Sequence, residues 1–384
     1  MIQLKNRASV VVIGGGVVGN SIAYNLAKRG VEDVVLVERS FLASGATGRC
    51  GAGVRQQWGT RQNCLLARES MKVFENFKDT LNVNVDIELK QKGYLLLAYS
   101  NNELEQFKKN IKVQNSLGIP SKLVTPQEAK YIVPDLNTDK LIGGAFCPTD
   151  GHANPFKVTY GYSKAAENLG VEINKFTEVN EIKTEKGKII GVQTNKGFIE
   201  TSKVVDAAGG WSQQIAKMVN AELPVYSERH EILVTEPIKP VLDPMLMSFS
   251  YNIYCQQTPD GSFIMGYGPD NEPPSFDMHS SWQFLETMSK KAVWLLPPLN
   301  KLRIIRQWAG LYNMSPDKQP IVSKIKEVEN FYVACGFSGH GFMIAPAIGV
   351  LMADIITESD LTYNVVLDIE RYKRGEIISE PSVV

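Results

Sequence analysis

The residues best able to do chemistry in this chain stand at two glycine-rich corners, 14–19 and 336–342, with a few polar and aromatic side chains between them. At the first corner Gly14-Gly15-Gly16-Val17-Val18-Gly19 fits G-x-G-x-x-G. Before it Val10, Val11, Val12 and Ile13 form an apolar β-branched run suited to a strand buried on both faces. After it Ile22, Ala23, Leu26 and Ala27 recur at helical spacing, and Gly30 supplies a helix stop. Gly14 permits the tight turn, Gly16 lets a pyrophosphate approach the backbone, and Gly19 lets the helix pack close. The free N–H groups around Val18 favour negative charge. Val34–Val37 reads as the next strand, ended by Glu38 and Arg39. A carboxylate there accepts both hydroxyls of an adenosine ribose and repels a 2′-phosphate, which disfavours NADP. The whole unit, more than the glycines alone, implies dinucleotide binding over a purely structural turn.

The next segment separates NAD from FAD. Residues 41–55, FLASGATGRCGAGVR, stay small and glycine-rich just past the ribose acid, where a NAD fold would start a regular helix. The turn Ser44-Gly45-Ala46-Thr47 resembles that of the D-amino-acid oxidase and sarcosine oxidase superfamily of FAD proteins. The resemblance implies FAD, with Ser44, Thr47, Arg49, Cys50 and Gly51 in the cofactor loop; Cys50 itself reads as a small packing residue. In that family the turn matched by Ala208, Gly209, Trp211 and Ser212 passes the FAD phosphates, and Val179 sits where a backbone contact holds adenine.

The second corner follows the strand-like run 331–335 and precedes an apolar helix. Its G-F-S-G-H-G-F matches the sarcosine oxidase group. The resemblance brings the N–H groups of Gly339, His340, Gly341, Phe342 and Met343 toward the pyrimidine edge of the flavin. Donors there stabilise the negative charge of the reduced ring. Within the group the chain looks most like the β subunits of dye-linked L-proline dehydrogenase and heterotetrameric sarcosine oxidase. That likeness rests on Gly48-Arg49-Cys50-Gly51, Arg55-Gln56-Gln57, Pro148-Thr149-Asp150-Gly151, Trp308-Ala309-Gly310 and 336–342. It implies a catalytic subunit of a hetero-oligomer, with partner subunits passing electrons onward.

Departures from the family refine this. Gly310 stands where monomeric sarcosine oxidases carry the cysteine that bonds FAD, so FAD is expected to be non-covalent. Ile264 stands where they hold a lysine that promotes reaction with oxygen, which favours a dehydrogenase. Met343 replaces a lysine that binds the substrate carboxylate. The histidine that carries covalent FMN in heterotetrameric sarcosine oxidase falls near Pro155, leaving a non-covalent FMN at a subunit interface. Arg55 is the candidate for the substrate carboxylate, since guanidinium binds carboxylates bidentately; a surface or phosphate-facing role is its alternative. Tyr254 and Tyr312 are candidate substrate-side residues, with packing as the alternative. His340 would orient its loop or donate to the flavin, with a structural role as the alternative; His152 reads as a surface or turn residue, with contact to a ligand as the alternative; and His230 reads as core.

The expected activity is FAD-dependent oxidation of a small amino or imino acid, of the L-proline, sarcosine or opine type, to an imine. The competing readings are an oxidase of glycine, sarcosine or a D-amino acid using O2, a NAD-linked dehydrogenase, and a non-catalytic flavin-binding assembly subunit. Acidic and basic residues balance at 41 each with no basic run, which points away from nucleic acid and anionic membranes. Five scattered cysteines lack C-x-x-C or Cys/His ligand spacing, so no metal site is expected and the thiols read as reduced, in the cytoplasm. No basic segment followed by an apolar one precedes the first strand, so no signal peptide is expected. Glycines and Pro346 break the apolar stretch 331–356 well short of a membrane span.

These groups need a scaffold of α/β class in two domains. A glutathione-reductase-like Rossmann FAD domain is expected over 1–80, 140–220 and 325–384, and an antiparallel-sheet substrate domain over 81–139 and 221–324. The patterning predicts helices at 63–79, 103–117, 155–169 and 281–296, and an N-cap at Thr125. Residues 146–155 read as turns, and 171–174 as a strand continued by 177–179. A hairpin spans 188–201, and further strands lie at 93–99, 229–236, 247–255, 262–267 and 303–312.

Overall fold

The structure, a computed structural model, describes residues 4–269 and 271–382. Its first sheet runs β18 (Ile321–Lys324), β19 (Phe331–Cys335), β12 (Val204–Asp206), β1 (Val10–Ile13), β2 (Val34–Val37), β8 (Glu172–Asn174). All pairs are parallel except β18 with β19. Strand side chains alternate between faces, and both faces of this sheet are covered. Val10, Val12, Val34 and Leu36 pack into a core with Ile22 and Leu26 of α1 (Val17–Lys28), Val158 and Tyr162 of α6 (Pro155–Asn168), and Ile344 and Ile348 of α9 (Gly341–Thr357). On the other face Val11, Ile13, Val35 and Val37 meet Ile215 of α7 (Ser212–Lys217) and the three-stranded sheet of β9 (Val179–Glu185), β10 (Lys188–Thr194) and β11 (Gly197–Glu200). This double burial is why the first strand carries no polar residue.

The second sheet runs β17 (Ile304–Met314), β13 (Tyr226–Thr235), β16 (Phe263–Tyr267), β15 (Ile253–Gln257), β14 (Met245–Ser248), β4 (Tyr94–Ala98), β6 (Gly143–Cys147), β5 (Lys122–Val124). It is antiparallel except where β14 joins β4, so the expected antiparallel sheet is a mixed one. One face packs on α8 (Trp282–Leu295) through Leu95, Leu97, Leu246 and Met265. The other carries Tyr94, Leu96, Met247 and Tyr254, with Phe107 and Ile111 of α4 (Asn101–Ser116). A short ladder of β3 (Gly53–Val54) with β7 (Gly151–His152) lies between the sheets in sequence. α5 (Pro126–Ile132) starts with the Thr125–Glu128 capping box that its sequence predicts.

Several boundaries differ from the sequence-based expectation. The helix expected at 63–79 is two helices, α2 (Arg61–Glu75) and α3 (Phe77–Leu81), because Asn76 leaves the helical region. The strand expected at 247–255 turns back at Phe249–Asn252 and becomes β14 and β15. Residue 179 opens β9 of the three-stranded sheet and does not prolong β8. Residues 146–155 contain the end of β6 and all of β7, so His152 is a buried strand residue and not a surface one. β6 pairs within the larger sheet and β18 within the parallel one. α10 (Arg371–Arg374) ends the described helices, none of which is long and apolar enough to cross a membrane.

Candidate functional site

The parallel sheet aims the N-termini of α1 and α9 into one cavity of about 410 Å³. Gly16 caps α1 and His340 caps α9, and neither capping residue closes its own helix end with a side-chain hydrogen bond. Two sets of open N–H groups on one cavity make a site for a ligand with negative charge at two places. The three glycines of the first corner have separate reasons. A Cβ on Gly14, at φ +119°, would lie 2.4 Å from the Ala207 carbonyl oxygen, and one on Gly19 would lie 2.0 Å from that of Gly14. A Cβ on Gly16 would meet Thr47 Oγ1 alone, at 3.1 Å, so its bareness serves the cavity and not the packing.

Glu38 ends β2 with its carboxylate fixed by N–H donors from Gly15 at 2.7 Å and Ser40 at 2.8 Å. The Ser44 hydroxyl donates to it at 3.3 Å. Arg39 stacks its guanidinium 3.9 Å over the Trp211 ring, and both line the cavity with Val179, Ala208 and Gly209. Thr47 accepts the Val17 N–H at 3.1 Å, joining the small-residue loop to the first turn of α1. Arg49 clips that loop to β17 by donating to the Ser44 carbonyl at 3.1 Å and the Ala309 carbonyl at 3.0 Å. The Cys50 thiol donates to the Thr47 carbonyl at 3.0 Å, and burial pushes its pKa up to about 11. Val18, Gly310, Gly339, Gly341 and Phe342 complete the wall.

The far wall is a stack of three rings from the larger sheet. His230 of β13 lies flat on Tyr312 of β17, with centroids 4.2 Å apart and planes 3° apart. It faces Tyr254 of β15 at 5.9 Å and 10°. Glycines make room for the stack: a Cβ on Gly266 would lie 2.4 Å from the Tyr254 hydroxyl, and one on Gly339 2.5 Å from the Tyr312 ring. Burial pushes His230 down to about 4, so its imidazole is neutral at pH 7, and pushes both tyrosines up, so they keep their protons. His230 is therefore a wall residue of the site, which its reading as core missed. The available signal was register: strand alternation puts Glu228, His230 and Ile232 on one face, and pairing sets His230 opposite Gly310.

Five sequence candidates lie outside this wall. Gly19 closes on Gly14, and Met343 is buried in the core against α9's neighbours. Gly51 borders a second cavity of about 490 Å³, which shares Phe41, Ser44, Arg49 and Cys50 with the first. Its wall also holds His152, Pro155, Ile264 and Arg306. The His340 ring turns away to pack on Trp58 at 5.0 Å, and neither ring nitrogen has a partner among the described residues. Burial and then the Arg55 charge pull its pKa down to about 3, so its side chain is neutral. Arg55 is buried behind the wall, 4.0 Å over the same Trp58 ring. It donates to the carbonyls of Gln57 at 2.9 Å and Ser382 at 2.8 Å, while Nε has no partner among the described residues. It is neither on the surface nor on the phosphate cradle.

Residues 9–355 match the family model described as FAD dependent oxidoreductase, DAO. The chain belongs to this FAD-dependent oxidoreductase family. Its relatives include the sarcosine oxidase subunit beta of Rhodobacter capsulatus, 29% identical over 381 residues that cover 98% of this chain and 91% of that protein. Among solved structures, L-proline dehydrogenase from P. horikoshii superposes with a TM-score of 0.92 at 39% identity, covering 98% of this chain and all of the other. Glycine oxidase from Bacillus cereus superposes with a TM-score of 0.82 at 27% identity, covering 93% of this chain and 99% of that one. FAD fits the cavity on the protein's own terms. The open α1 N-terminus and bare Gly16 suit its pyrophosphate, Glu38 suits its ribose, and the open α9 N-terminus suits the electron-rich edge of its ring.

Proposed function

We propose that this chain is the catalytic subunit of a dehydrogenase that oxidises a small amino or imino acid, of the L-proline, sarcosine or opine type, to its imine. When bound, FAD supplies the hydride acceptor. The observation that carries the reading is the wall of three stacked rings, His230 between Tyr312 and Tyr254, across the cavity from the N-terminus of α9. Neutral His230 and two protonated tyrosines add no net charge, so the site suits an amine in its uncharged form, the form that gives up hydride. The dipole of α9 stabilises the negative charge that accumulates on the opposite side. Arg55 takes the substrate carboxylate in this reading, supported by its unpartnered Nε and by its place 5.8 Å from the ring of Phe249, which packs on the cluster that holds Tyr254. The two-domain division, cofactor sheet and substrate sheet, is part of the proposal.

The same reading holds FAD non-covalently. Gly310 offers no nucleophile, and the Cys50 thiol stays protonated and bonded to the Thr47 carbonyl. The second cavity, with Pro155 and the Arg306 cation in its wall, supports a non-covalent FMN shared with a partner subunit that carries electrons onward. Apolar Ile264 in that wall supports a dehydrogenase over an oxidase. Five unpaired thiols support a cytoplasmic setting. Anaerobic mixing of the purified flavoprotein with a panel of L-proline, hydroxyproline, sarcosine, glycine and opines tests the reading. Bleaching by one of the secondary amino acids, with dye reduction much faster than peroxide formation, is the expected result. Protein that stays yellow with every acid in the panel, with and without co-purifying subunits, overturns it.

A further inference from the structure

Arg55 is held from a distance of 327 positions along the chain, where the Ser382 carbonyl accepts its Nη2 hydrogen. Ser382 reaches that point because Glu380 is anchored with both carboxylate oxygens. One accepts the Gly59 N–H at 2.7 Å and the Ser382 N–H at 3.0 Å. The other accepts the Thr60 N–H at 3.0 Å, the Thr60 hydroxyl at 2.7 Å and the Asn63 amide at 3.0 Å. Pro381 sits so close to Gly59 that a Cβ there would meet its ring at 2.3 Å. Asn110 of α4 donates to the Ser382 hydroxyl at 2.9 Å, and the residue is buried. Three unconnected stretches, 55–63, α4 and 380–382, therefore converge on one guanidinium.

That guanidinium is under-used. It has five N–H donors, and only two hydrogen bonds from it occur among the described residues, to Gln57 and Ser382. A buried cation with unspent donors is costly unless an anion completes it. We propose that Glu380 is a positioning residue: by clamping 380–382 to the start of α2, it holds the Ser382 carbonyl against Nη2 and so leaves the remaining Arg55 donors in one orientation for the substrate carboxylate. Asp150 works from the opposite side, accepting the Gln56 N–H at 2.9 Å and the Gln57 amide at 3.2 Å and thereby fixing the segment whose carbonyl takes Nη1. The proposal rests on the carboxylate role given to Arg55 above.

The test uses the FAD-loaded protein and two probes that cannot be oxidised as amines, tetrahydrofuran-2-carboxylate and its uncharged counterpart tetrahydrofurfuryl alcohol. Each is titrated against the flavin absorbance of the wild type, Glu380→Gln and Arg55→Lys. The expected result is a Kd for the carboxylate about tenfold weaker in Glu380→Gln, with the alcohol unchanged and FAD content retained. Because coupling is reciprocal, the carboxylate also slows amide exchange at Gly59, Thr60 and Ser382 in the unmodified protein, a readout that needs no variant. Carboxylate binding within twofold of wild type in Glu380→Gln, equal weakening of both probes, or exchange indifferent to the carboxylate overturns the proposal. Arg55→Lys separates the two layers. If it loses the carboxylate while Glu380→Gln does not, positioning by Glu380 fails alone; if it binds the carboxylate normally, the role of Arg55 fails with it.

Discussion

Replacing Gly16 by alanine tests whether the first corner is shaped by packing or by a ligand. Gly16 has φ −73° and ψ 177°, a conformation open to alanine, and the new methyl group would meet only Thr47 Oγ1 at 3.1 Å. Gly→Ala at an allowed conformation adds about 0.4–1 kcal/mol through the unfolded chain, and the tight contact with Thr47 offsets part of it. The stability of the apoprotein should therefore change by less than about 1 kcal/mol. The methyl group does stand where a phosphate must approach the N–H groups of α1. Losing one hydrogen bond to a charged group costs about 1.5–3 kcal/mol, which weakens FAD binding about 10- to 150-fold. Gly19→Ala is the contrast, because its Cβ would lie 2.0 Å from the Gly14 carbonyl oxygen and must displace backbone. Urea melts of the apoproteins and quenching of FAD fluorescence on titration measure both quantities. The reasoning fails if Gly16→Ala binds FAD within threefold of wild type, or if it destabilises the apoprotein as much as Gly19→Ala does.

Burying Arg371 against Asp317, both fully enclosed and joined by two bonds of 2.9 Å, makes Arg371→Ala lose about 3–5 kcal/mol in a urea melt, from the carboxylate left unpaired. His230→Phe keeps the ring stack and removes its nitrogens; kcat/KM for the substrate that bleaches the flavin should fall about ten- to a hundredfold with FAD content unchanged, and an unaltered kcat/KM would return His230 to the core. Ile264→Lys should raise the rate of peroxide formation relative to dye reduction in a coupled peroxide assay. Burial pulls His152 and His230 down to about 4, so their contribution to stability is complete above their unfolded value and is lost as pH falls through about 4. Burial pushes Asp206 up to about 7, so its contribution has the opposite sign, present below its unfolded value and lost as pH rises through about 7. Asp206→Asn removes the opposing contribution, and urea melts of its apoprotein should lose more stability between pH 7.5 and 4.5 than those of wild type.

The sequence carried the elements whose logic is local. Four consecutive β-branched residues at Val10–Ile13 predict a strand covered on both faces, and Ser44-x-x-Thr47, Thr125 and the 336–342 loop each mark a turn that the structure contains. What depends on partners distant in sequence was not legible. His230 has the burial of a core residue, and only its register opposite Gly310 and its stack on Tyr312 bring it to the cavity. The ring of His340 was expected at the site because its loop is there, but the side chain packs on Trp58 instead. The turn at 249–252 and the break at Asn76 escaped because apolar periodicity continues across both. Nothing near Arg55 in sequence indicated that residues 380–382 would enclose it.

Strand order makes assembly of the cofactor cavity wait for β19 and α9. β1 and β2 are made before the other strands of this sheet, yet β12 and β19, on the other side of β1, are separated from it by roughly 190 and 320 residues of synthesis. A nascent chain stopped before residue 331 would own the phosphate corner and all eight strands of the larger sheet, but neither the loop of Gly339 nor α9. Capture of FAD therefore waits for the Gly339 loop and α9 to be in place, and the yellow colour of the protein reports that both corners have met.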